Sequence, residues 1–342
     1  MGRPGGNTGG VRAALLERPH QALRMVDRPD PTAGPGQLLV AVQACAVCRT
    51  DLHLRDGEIS PHGLPRVLGH QIVGTVLARG AGVGDDRPDV GARVGIPWLG
   101  WTDGVCRYCL TSRENLCVSA RFTGRDIDGG FAEQVVADAR FCLALPPGPG
   151  PVQLAPLLCG GLIGYRAYRM TGEHVERLGL YGFGSAAHLI AQIAHHDGRQ
   201  VFAFTRRADD PAAALARRLG AEWVGASDEL PPEPLDAAII FASAGELVPA
   251  ALRALAPGGT VVCAGIHMTD IPSFAYEDLW HERSIRSVAN LTRQDGVDLL
   301  DLAARVPLQV ETTTYPLDAA EQALADLRSG AFTGSAVITV RA

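Results

Sequence analysis

The chain has 342 residues, of which 46% are hydrophobic, so it is long enough for two ordinary domains with cores of their own. Its 31 basic and 37 acidic residues give a formal charge of −6 without a basic run, which argues against a nucleic-acid partner. No apolar run approaches the roughly 20 residues that span a bilayer, and residues 1–10 lack a signal-peptide core. We expect a cytoplasmic protein with a disordered lead-in, whose eight cysteines serve metal or thiol chemistry.

The first part of the chain, residues 11–153, is predicted to form a partly β domain with long loops. Its short apolar runs, "QLLVAVQACAV", "QIVGTVLA" and "FAEQVVAD", are broken by Gly and Pro. From residue 154 to about residue 290, brief apolar strands alternate with helical stretches, as in "VFAFT" followed by "PAAALARRLGA". This alternation is typical of βαβ units on a parallel sheet, so the predicted fold class is α/β with a doubly wound domain. A helix, the β-like "VETTTYPL", another helix and "AVITV" complete the chain.

A glycine motif lies between the first strand and helix of the alternating region. Gly182, Gly184 and Ala187 form the pattern G-x-G-x-x-A, in which glycine lets the backbone approach a pyrophosphate at a helix N-terminus. A tight turn without ligand would show the same three residues, but the βαβ context favours dinucleotide binding. The predicted cofactor-binding residues at this turn are therefore Gly182, Gly184, Ser185 and Ala186.

The end of the next strand, "VFAFTRRADD", indicates which dinucleotide is bound. Sites for NAD usually carry an acidic residue here for the ribose hydroxyls, whereas this chain has Thr205, Arg206 and Arg207. Arginine can form a bidentate contact with a 2′-phosphate, so we expect NADP(H) to be preferred over NAD(H). The alternative is that both arginines begin a solvated helix. Asp209 and Asp210 lie too far along the chain to replace the missing acid.

The segment "WTDGVCRYCLTSRENLC" has the spacing of a zinc site with one ligand changed. Cys106, Cys109 and Cys117 are spaced as in a four-cysteine site, but Asp103 stands where the first cysteine would be. Aspartate oxygen is an accepted zinc ligand, although closed structural sites are normally rich in cysteine. The segment is therefore either an Asp-Cys-Cys-Cys zinc site or a former site that no longer holds metal.

Three further motifs complete a recognisable order along the chain. "CRTDLH" contains Cys48 and His53, "GHQIVG" contains His70, and "PLLCGG" contains Cys159. Followed by a dinucleotide fold, this order closely resembles that of the zinc-dependent alcohol dehydrogenases of the medium-chain dehydrogenase/reductase superfamily. The resemblance covers nearly the whole chain from Val11 onward. It implies a GroES-like catalytic domain over residues 11–153, to which residues 291–342 return, and a Rossmann coenzyme domain over residues 154–290.

The resemblance also implies roles for individual residues. Cys48, His70 and Cys159 would hold a catalytic zinc, and a second, structural zinc would be held by Asp103, Cys106, Cys109 and Cys117. Thr50 and His53 would form a proton relay, and Asp51 would orient the zinc-bound histidine. Further cofactor contacts are implied for Arg49, Gly265 and Ile266. The implied reaction is hydride transfer between NADP(H) and a small alcohol or aldehyde, in a homodimer or homotetramer.

Several alternatives remain at this point. A quinone or enone reductase would share the fold without a catalytic metal, and a zinc-thiolate redox sensor would have no use for a relay. Gln71 replaces the glutamate that often follows the ligand histidine in this family, so it lacks the charge that some relatives bring near the metal. Trp98, Leu99 and Trp101 either line an apolar substrate pocket or pack beneath a loop. His267 is assigned no catalytic role.

Overall fold

The computed structural model describes residues 10–207 and 210–340, so the predicted lead-in lies almost entirely outside the described residues. Among the described residues, no helix has the length and apolar character needed to cross a membrane. The helices are α1 (Arg49–Arg55), α2 (Pro151–Leu154), α3 (Gly160–Met170), α4 (Ser185–His196), α5 (Pro211–Arg218), α6 (Leu247–Ala254), α7 (Tyr276–Leu279), α8 (Arg293–Arg305) and α9 (Ala320–Ser329).

The strands are β1 (Val11–Leu16), β2 (Arg24–Arg28), β3 (Gln37–Val47), β4 (Arg66–Val67), β5 (Ile72–Arg79), β6 (Arg93–Ile96), β7 (Leu99–Trp101), β8 (Arg121–Phe122), β9 (Gln134–Asp138), β10 (Leu143–Ala144), β11 (Arg177–Tyr181), β12 (Gln200–Thr205), β13 (Trp223–Ala226), β14 (Leu235–Ile240), β15 (Leu255–Cys263), β16 (Ser284–Ser287), β17 (Thr312–Pro316) and β18 (Ser335–Thr339). Short 3-10 helices cover Cys109–Thr111, Glu114–Leu116, Ala139–Phe141, Ala155–Leu158 and Leu317–Ala319.

The first sheet is built around β3, the longest strand of the N-terminal part. One edge of β3 pairs with β5, and the other pairs with β9 and then with β18. Its side chains alternate between half-buried and buried positions before the last four become buried, as expected where a strand enters the core. Because β18 pairs with β3 and β17 pairs with β18, the end of the chain returns to this sheet.

The second sheet has six parallel strands in the order β13-β12-β11-β14-β15-β16. Its central strands are almost entirely buried, because helices cover both faces of a parallel sheet. The sequence predicts that the helix before β15 extends through "APGG", but α6 ends at Ala254, since Leu255 is already extended and Pro257 lacks the N–H that a helix needs.

Both parts of the predicted fold class are present, a mostly antiparallel β unit and a parallel-sheet unit. The helix α8 packs against α3, where Arg166 Nη1 lies 2.8 Å from Asp295 Oδ2. The segment after residue 290 thus contacts the coenzyme half through α8 and the first sheet through β17 and β18. The exact domain boundaries at residues 153 and 290 stay predictions.

Candidate functional site

Cys48 forms the N-terminal cap of α1. Its Sγ accepts a hydrogen bond from the Thr50 N–H at 3.3 Å, and Asp51 Oδ2 accepts one from the Cys48 N–H at 2.9 Å. This is a capping box in which a thiol occupies the position usually held by Ser or Thr. Backbone N–H groups and the helix N-terminus stabilise negative charge on the sulfur, which suits a thiolate ligand.

Asp51 connects the start of α1 to His70. Its carboxylate is fully buried, and Oδ1 accepts the Gly69 N–H and the His70 Nδ1–H, each at 3.1 Å. Gly69 has a φ of 91°, and a Cβ there would lie 2.4 Å from Phe131. A glycine is therefore required where the chain turns to present His70. The predicted orienting contact between Asp51 and His70 is present.

The remaining nitrogen of His70 is the atom best suited to bind a metal ion. Nε2 is buried and has no hydrogen-bond partner among the described residues. Buried nitrogens without a partner are rare and destabilising, so such an atom calls for an explanation. The ligand atoms of Cys48, His70 and Cys159 all lie within 4.8 Å of one another. Two thiols and one imidazole form a donor set that suits zinc and leaves a fourth position open.

Cys159 reaches this cluster from the coenzyme half of the chain. It follows the 3-10 helix at Ala155–Leu158 and directly precedes α3, where the Ile163 N–H donates to its carbonyl at 2.8 Å. The three donors thus come from the start of α1, the turn before β5 and the start of α3. Only the folded chain brings them together, because residues 70 and 159 are far apart in sequence.

The charges in the cluster favour binding of a cation. A hydrogen bond from the Cys159 thiol holds the pKa of Cys48 well below its ordinary value, and the same contact, with burial, raises the pKa of Cys159. Burial alone would lower the pKa of His70, but the charges of Asp51 and Cys48 outweigh it and raise this pKa to about 10. The cluster therefore holds protons that a bound metal ion would displace.

The two predicted relay residues lie one turn apart on α1. Thr50 is buried, and His53 Nδ1 donates a hydrogen bond to the carboxylate of Glu58. A carboxylate accepts only, so Nδ1 carries the proton and Nε2 is the basic nitrogen of the neutral ring. That Nε2 is buried and has no hydrogen-bond partner among residues 10–207 and 210–340. Glu58 is absent from the sequence predictions; its signal is an acidic residue just beyond the short helix.

Two aromatic rings pack beside the metal-ligand cluster. The Trp98 ring lies 4.8 Å from the His70 ring, edge to face, and stacks on Phe122 with centroids 5.1 Å apart. Leu99 is buried, whereas Trp101 is only half-buried and lies under the guanidinium of Arg121. Of the three residues proposed for an apolar pocket, the structure brings Trp98 to His70 and directs Trp101 elsewhere. Phe122, which stacks on Trp98, is absent from the sequence predictions.

The four residues predicted to form the second metal site converge in the structure. The ligand atoms of Asp103, Cys106, Cys109 and Cys117 lie within 4.8 Å of one another. Asp103 Oδ1 accepts the N–H groups of Val105 and Cys106, both at 2.9 Å, and these bonds lower the pKa of the Asp103 carboxyl. The other oxygen, Oδ2, lies 3.3 Å from Cys117 Sγ. Asp103 therefore folds the turn with one oxygen and faces the thiols with the other.

The glycine motif forms the turn between β11 and α4. Gly182 has a φ of 86°, and a Cβ there would meet Ala242 at 3.1 Å. Ser185 begins α4, and its Oγ lies 2.6 Å from that of Ser335. In the same helix, the buried His188 bonds through Nδ1 to the Gly184 carbonyl at 3.2 Å. Contacts of Ser185 and His188 thus hold the turn, and Gly184 is exposed at the carboxyl edge of the sheet.

The predicted cofactor residues are distributed along that same edge. Arg206 and Arg207 are exposed at the end of β12, and Gly265 and Ile266 lie just beyond the end of β15. Thr205 is buried, and its hydroxyl donates to the Arg207 carbonyl at 2.7 Å. Dinucleotides bind outside the carboxyl ends of parallel strands, so this edge is the expected cofactor cleft.

Arg49 and Asp210 are two further charged residues whose positions bear on cofactor binding. Arg49 is exposed on the first turn of α1. Asp210 caps α5 through a bond from the Ala213 N–H at 2.7 Å, and Asp209 lies outside the described residues. Asp210 therefore serves as a helix cap, and its exclusion as a ribose ligand stays a prediction.

Comparison with known proteins decides the family. The model of the alcohol dehydrogenase GroES-like domain matches residues 34–147, and that of the zinc-binding dehydrogenase domain matches residues 187–305. The chain is 47% identical over 315 residues to "Probable alcohol dehydrogenase AdhA" of Mycobacterium tuberculosis (strain CDC 1551 / Oshkosh), with 91% of this chain and 90% of that protein covered. This chain belongs to the zinc-dependent alcohol dehydrogenases of the medium-chain dehydrogenase/reductase superfamily.

Further members of the superfamily are similar over almost their whole length. An alcohol dehydrogenase of Geobacillus stearothermophilus is 32% identical, with 97% of this chain and 99% of that protein covered. The cobalt- and zinc-bound thermostable alcohol dehydrogenase from Pyrobaculum aerophilum has a TM-score of 0.86 at 25% identity, covering 96% of this chain and 99% of that one. Acetophenone reductase from Geotrichum candidum NBRC 4597, in complex with NAD, also has a TM-score of 0.86 at 25% identity, covering 98% of each chain.

The expected fold class, a GroES-like domain with a Rossmann domain, is confirmed by these matches. The chain is an oxidoreductase of the kind that acts on alcohols. Membership of a zinc-binding dehydrogenase family confirms the expectation that the protein binds zinc. The number of zinc ions per chain and the choice between NAD(H) and NADP(H) stay predictions.

Proposed function

We propose that this alcohol dehydrogenase is an NADP(H)-preferring enzyme that interconverts small alcohols and aldehydes at a zinc held by Cys48, His70 and Cys159. The observation that supports this most strongly is the buried, unpartnered Nε2 of His70, placed beside two thiols by Asp51. When bound, zinc supplies Lewis-acid polarisation of the substrate oxygen, and the nicotinamide supplies two-electron hydride exchange.

The residues around the cluster prepare it for this chemistry. Asp51 holds the imidazole of His70 by Nδ1, which leaves Nε2 free as a donor atom. The α1 N–H groups stabilise the Cys48 thiolate, and the indole of Trp98 packs against His70 and keeps water from that side. The stack of Trp98 on Phe122 favours a substrate with an apolar body.

The protein also moves the proton that alcohol oxidation releases. Thr50 is the buried hydroxyl next to the cluster, and His53 Nε2 is the base one turn away. A proton gained at Nε2 can leave from Nδ1 to Glu58, whose side chain is 48% exposed. Aldehyde reduction uses the same groups in reverse, with water supplying the proton.

The dinucleotide is proposed to lie along the carboxyl edge of the parallel sheet. The turn at Gly182, Gly184, Ser185 and Ala186 would hold the pyrophosphate at the start of α4, with Arg49 adding positive charge. The exposed Arg206, next to Arg207 at the end of β12, supports a 2′-phosphate contact, because the described residues at that strand end include no free acid. Gly265 and Ile266 would contact the nicotinamide end.

A second zinc at Asp103, Cys106, Cys109 and Cys117 would have a structural role, since four protein ligands leave no open position. Oligomerisation to a dimer or tetramer is supported by the edge strand β16, whose last two residues are exposed, and by the exposed side chains of Tyr276 and Trp280. Such an edge is a template for pairing with a second copy.

The decisive experiment compares the wild type with Cys48→Ser in metal analysis and in NADPH oxidation with a panel of aldehydes. We expect the variant to lose one equivalent of zinc and at least about a hundredfold in turnover, because a hydroxyl is a poor zinc ligand. Cys142→Ser is the matched control, since that thiol is buried away from both clusters. If the zinc-loaded wild type failed to oxidise NADPH with every aldehyde of the panel, the proposed reaction would be refuted.

A further inference from the structure

His267 lies against the relay histidine although it belongs to the other half of the chain. Its ring centroid is 5.4 Å from that of His53, and the two planes meet at 63°. His53 is carried by α1, whereas His267 is in the loop of residues 264–275 that follows β15. The two imidazoles therefore meet across the cleft between the catalytic and coenzyme halves.

The loop that carries His267 is hydrogen-bonded to the coenzyme half on both sides of the histidine. The Ala264 N–H donates to the Ile240 carbonyl at 2.8 Å, and the Gly245 N–H donates to Thr269 Oγ1 at the same distance. The position of His267 therefore follows the coenzyme half. The same loop contains Gly265 and Ile266, for which a contact with the nicotinamide is proposed.

His53 is held from two sides, by Glu58 at Nδ1 and by His267 at the ring. The side chain of His53 is only 12% exposed, and its Nε2 is shielded from solvent. His267 itself is exposed, so its ring covers His53 while remaining in contact with water. Within the described parts of the chain, Glu58 and His267 are the titratable groups recorded in contact with the His53 ring.

We propose that His267 is a positioning residue of the proton relay. Its ring packs against His53 and holds the basic Nε2 toward the reaction site, so the relay is complete only when the 264–275 loop lies on α1. This inference rests on the proposed function. It links proton transfer to the loop that contacts the coenzyme, because both depend on where that loop lies.

The physical argument is one of orientation. An imidazole whose one hydrogen bond runs from Nδ1 to an exposed carboxylate can turn about its χ2 torsion when that bond breaks, and the turn would move Nε2 away from the proton it must accept. A second ring packed edge-to-face removes this freedom, since such pairs have a preferred geometry. General base catalysis requires the base to lie within hydrogen-bond reach of the proton, so lost orientation lowers the rate.

The test uses the zinc-loaded protein and three variants: His267→Ala, His267→Phe and, as a control at an exposed site remote from the relay, His196→Ala. The turnover number for alcohol oxidation is measured from about pH 6 to about pH 10. We expect His267→Ala to be about fivefold to tenfold slower at about pH 7, a small part of what a general base contributes. The loss should shrink at high pH, where hydroxide can take the proton directly.

His267→Phe should recover most of the rate because its ring preserves the packing. A loss of equal size at every pH, or a Phe variant as slow as the Ala variant, would overturn the proposal. The second readout is independent of turnover: the imidazole NMR titration of His53, assigned with His53→Gln. An unchanged His53 resonance and titration in His267→Ala would overturn the positioning role, whereas an inactive wild type would reject only the proposed function.

Discussion

At the scale of single residues, Asp51 shows how one buried carboxylate organises the metal centre. Its two oxygens bond to the N–H of Cys48, the N–H of Gly69 and the ring of His70, so it contacts or neighbours two of the three proposed ligands. Removing its charge without changing its shape should therefore alter metal binding more than folding.

For Asp51→Asn, we expect zinc affinity at the catalytic site to fall about tenfold to a hundredfold, because partners that orient a ligand histidine have effects of this size. The measurement is competition with a chelator, followed by release of one zinc per chain. Asp56→Asn is the control, since Asp56 pairs with Arg55 and Arg328 beyond the other end of α1. Equal zinc release from both variants would show that Asp51 has no special role.

Arg206 carries the prediction for cofactor choice. Replacing it with Ala should weaken NADPH binding about tenfold or more and leave NADH nearly unchanged, because a hydrogen bond to a charged group is worth about 1.5–3 kcal/mol. Dissociation constants for both dinucleotides, measured by fluorescence quenching, provide the comparison. Arg305→Ala, an exposed position on α8, serves as the control. If both dinucleotides weaken equally, Arg206 does not read the 2′-phosphate.

At the scale of structural elements, the segment from Asp103 to Cys117 is folded by its own short contacts. The Cys117 N–H donates to the Glu114 carbonyl, and buried Glu114 bonds to Arg293 at the start of α8. The segment is thereby anchored to the returning C-terminal segment, while Val105 and Leu110 remain exposed on it and Val118 is exposed just after it. A metal ion would stabilise this exposed segment in place of a hydrophobic core.

Asp103→Asn separates the two roles of this side chain. The amide oxygen can still accept the N–H groups of Val105 and Cys106, but it lacks the charge that favours zinc. We expect zinc to fall from about two ions per chain to about one, with three additional thiols reacting with a thiol reagent. Asp103→Cys should keep both ions. Two zincs retained in the Asn variant would exclude a carboxylate ligand, and one zinc in the wild type would mean that this site is empty.

At the scale of the whole molecule, His188 connects the glycine turn to the returning C-terminal segment. Its Nδ1 bonds to Gly184, and its Nε2 accepts the Glu311 N–H at 3.4 Å, just before β17 joins the first sheet. Burial lowers the pKa of His188, so the folded protein keeps this ring neutral. A protonated ring could not accept the bond from Glu311.

This contact predicts a pH dependence of stability. In the unfolded chain His188 takes up a proton as pH falls below about 6.5, whereas the folded state resists protonation until lower pH. The unfolded state then binds more protons, so the free energy of unfolding decreases as pH falls below that value. The urea concentration at half-unfolding, measured between about pH 7.5 and about pH 5.5, should change less steeply with pH for His188→Gln than for the wild type. His196→Gln, at the exposed end of α4, should keep the wild-type slope; an unchanged slope in His188→Gln would contradict the prediction.

Local patterns explain why much of the fold could be read from the sequence. The alternation of strands and helices after residue 154 and the G-x-G-x-x-A turn are set by periodicity and by the backbone freedom of Gly182. The spacing of Asp103 and the three cysteines of the second candidate metal site is likewise a local pattern, and the four candidate ligand atoms lie close together. Cys45, Cys142 and Cys263 are buried, as their apolar surroundings indicate.

What only the tertiary structure decided are contacts between distant segments. Spacing alone could not pair Cys48 and His70 with Cys159, because convergence depends on how α1, the turn before β5 and α3 pack together. Three other features could not be predicted from the sequence either. They are the directions of the Trp98 and Trp101 rings, the contact of Glu58 with His53, and the contact of His53 with His267 across the cleft. The amino-acid order determines which chemistry the chain can carry, and the packing of its two halves determines which of those groups act together, since side-chain chemistry operates over a few ångströms whatever the sequence separation.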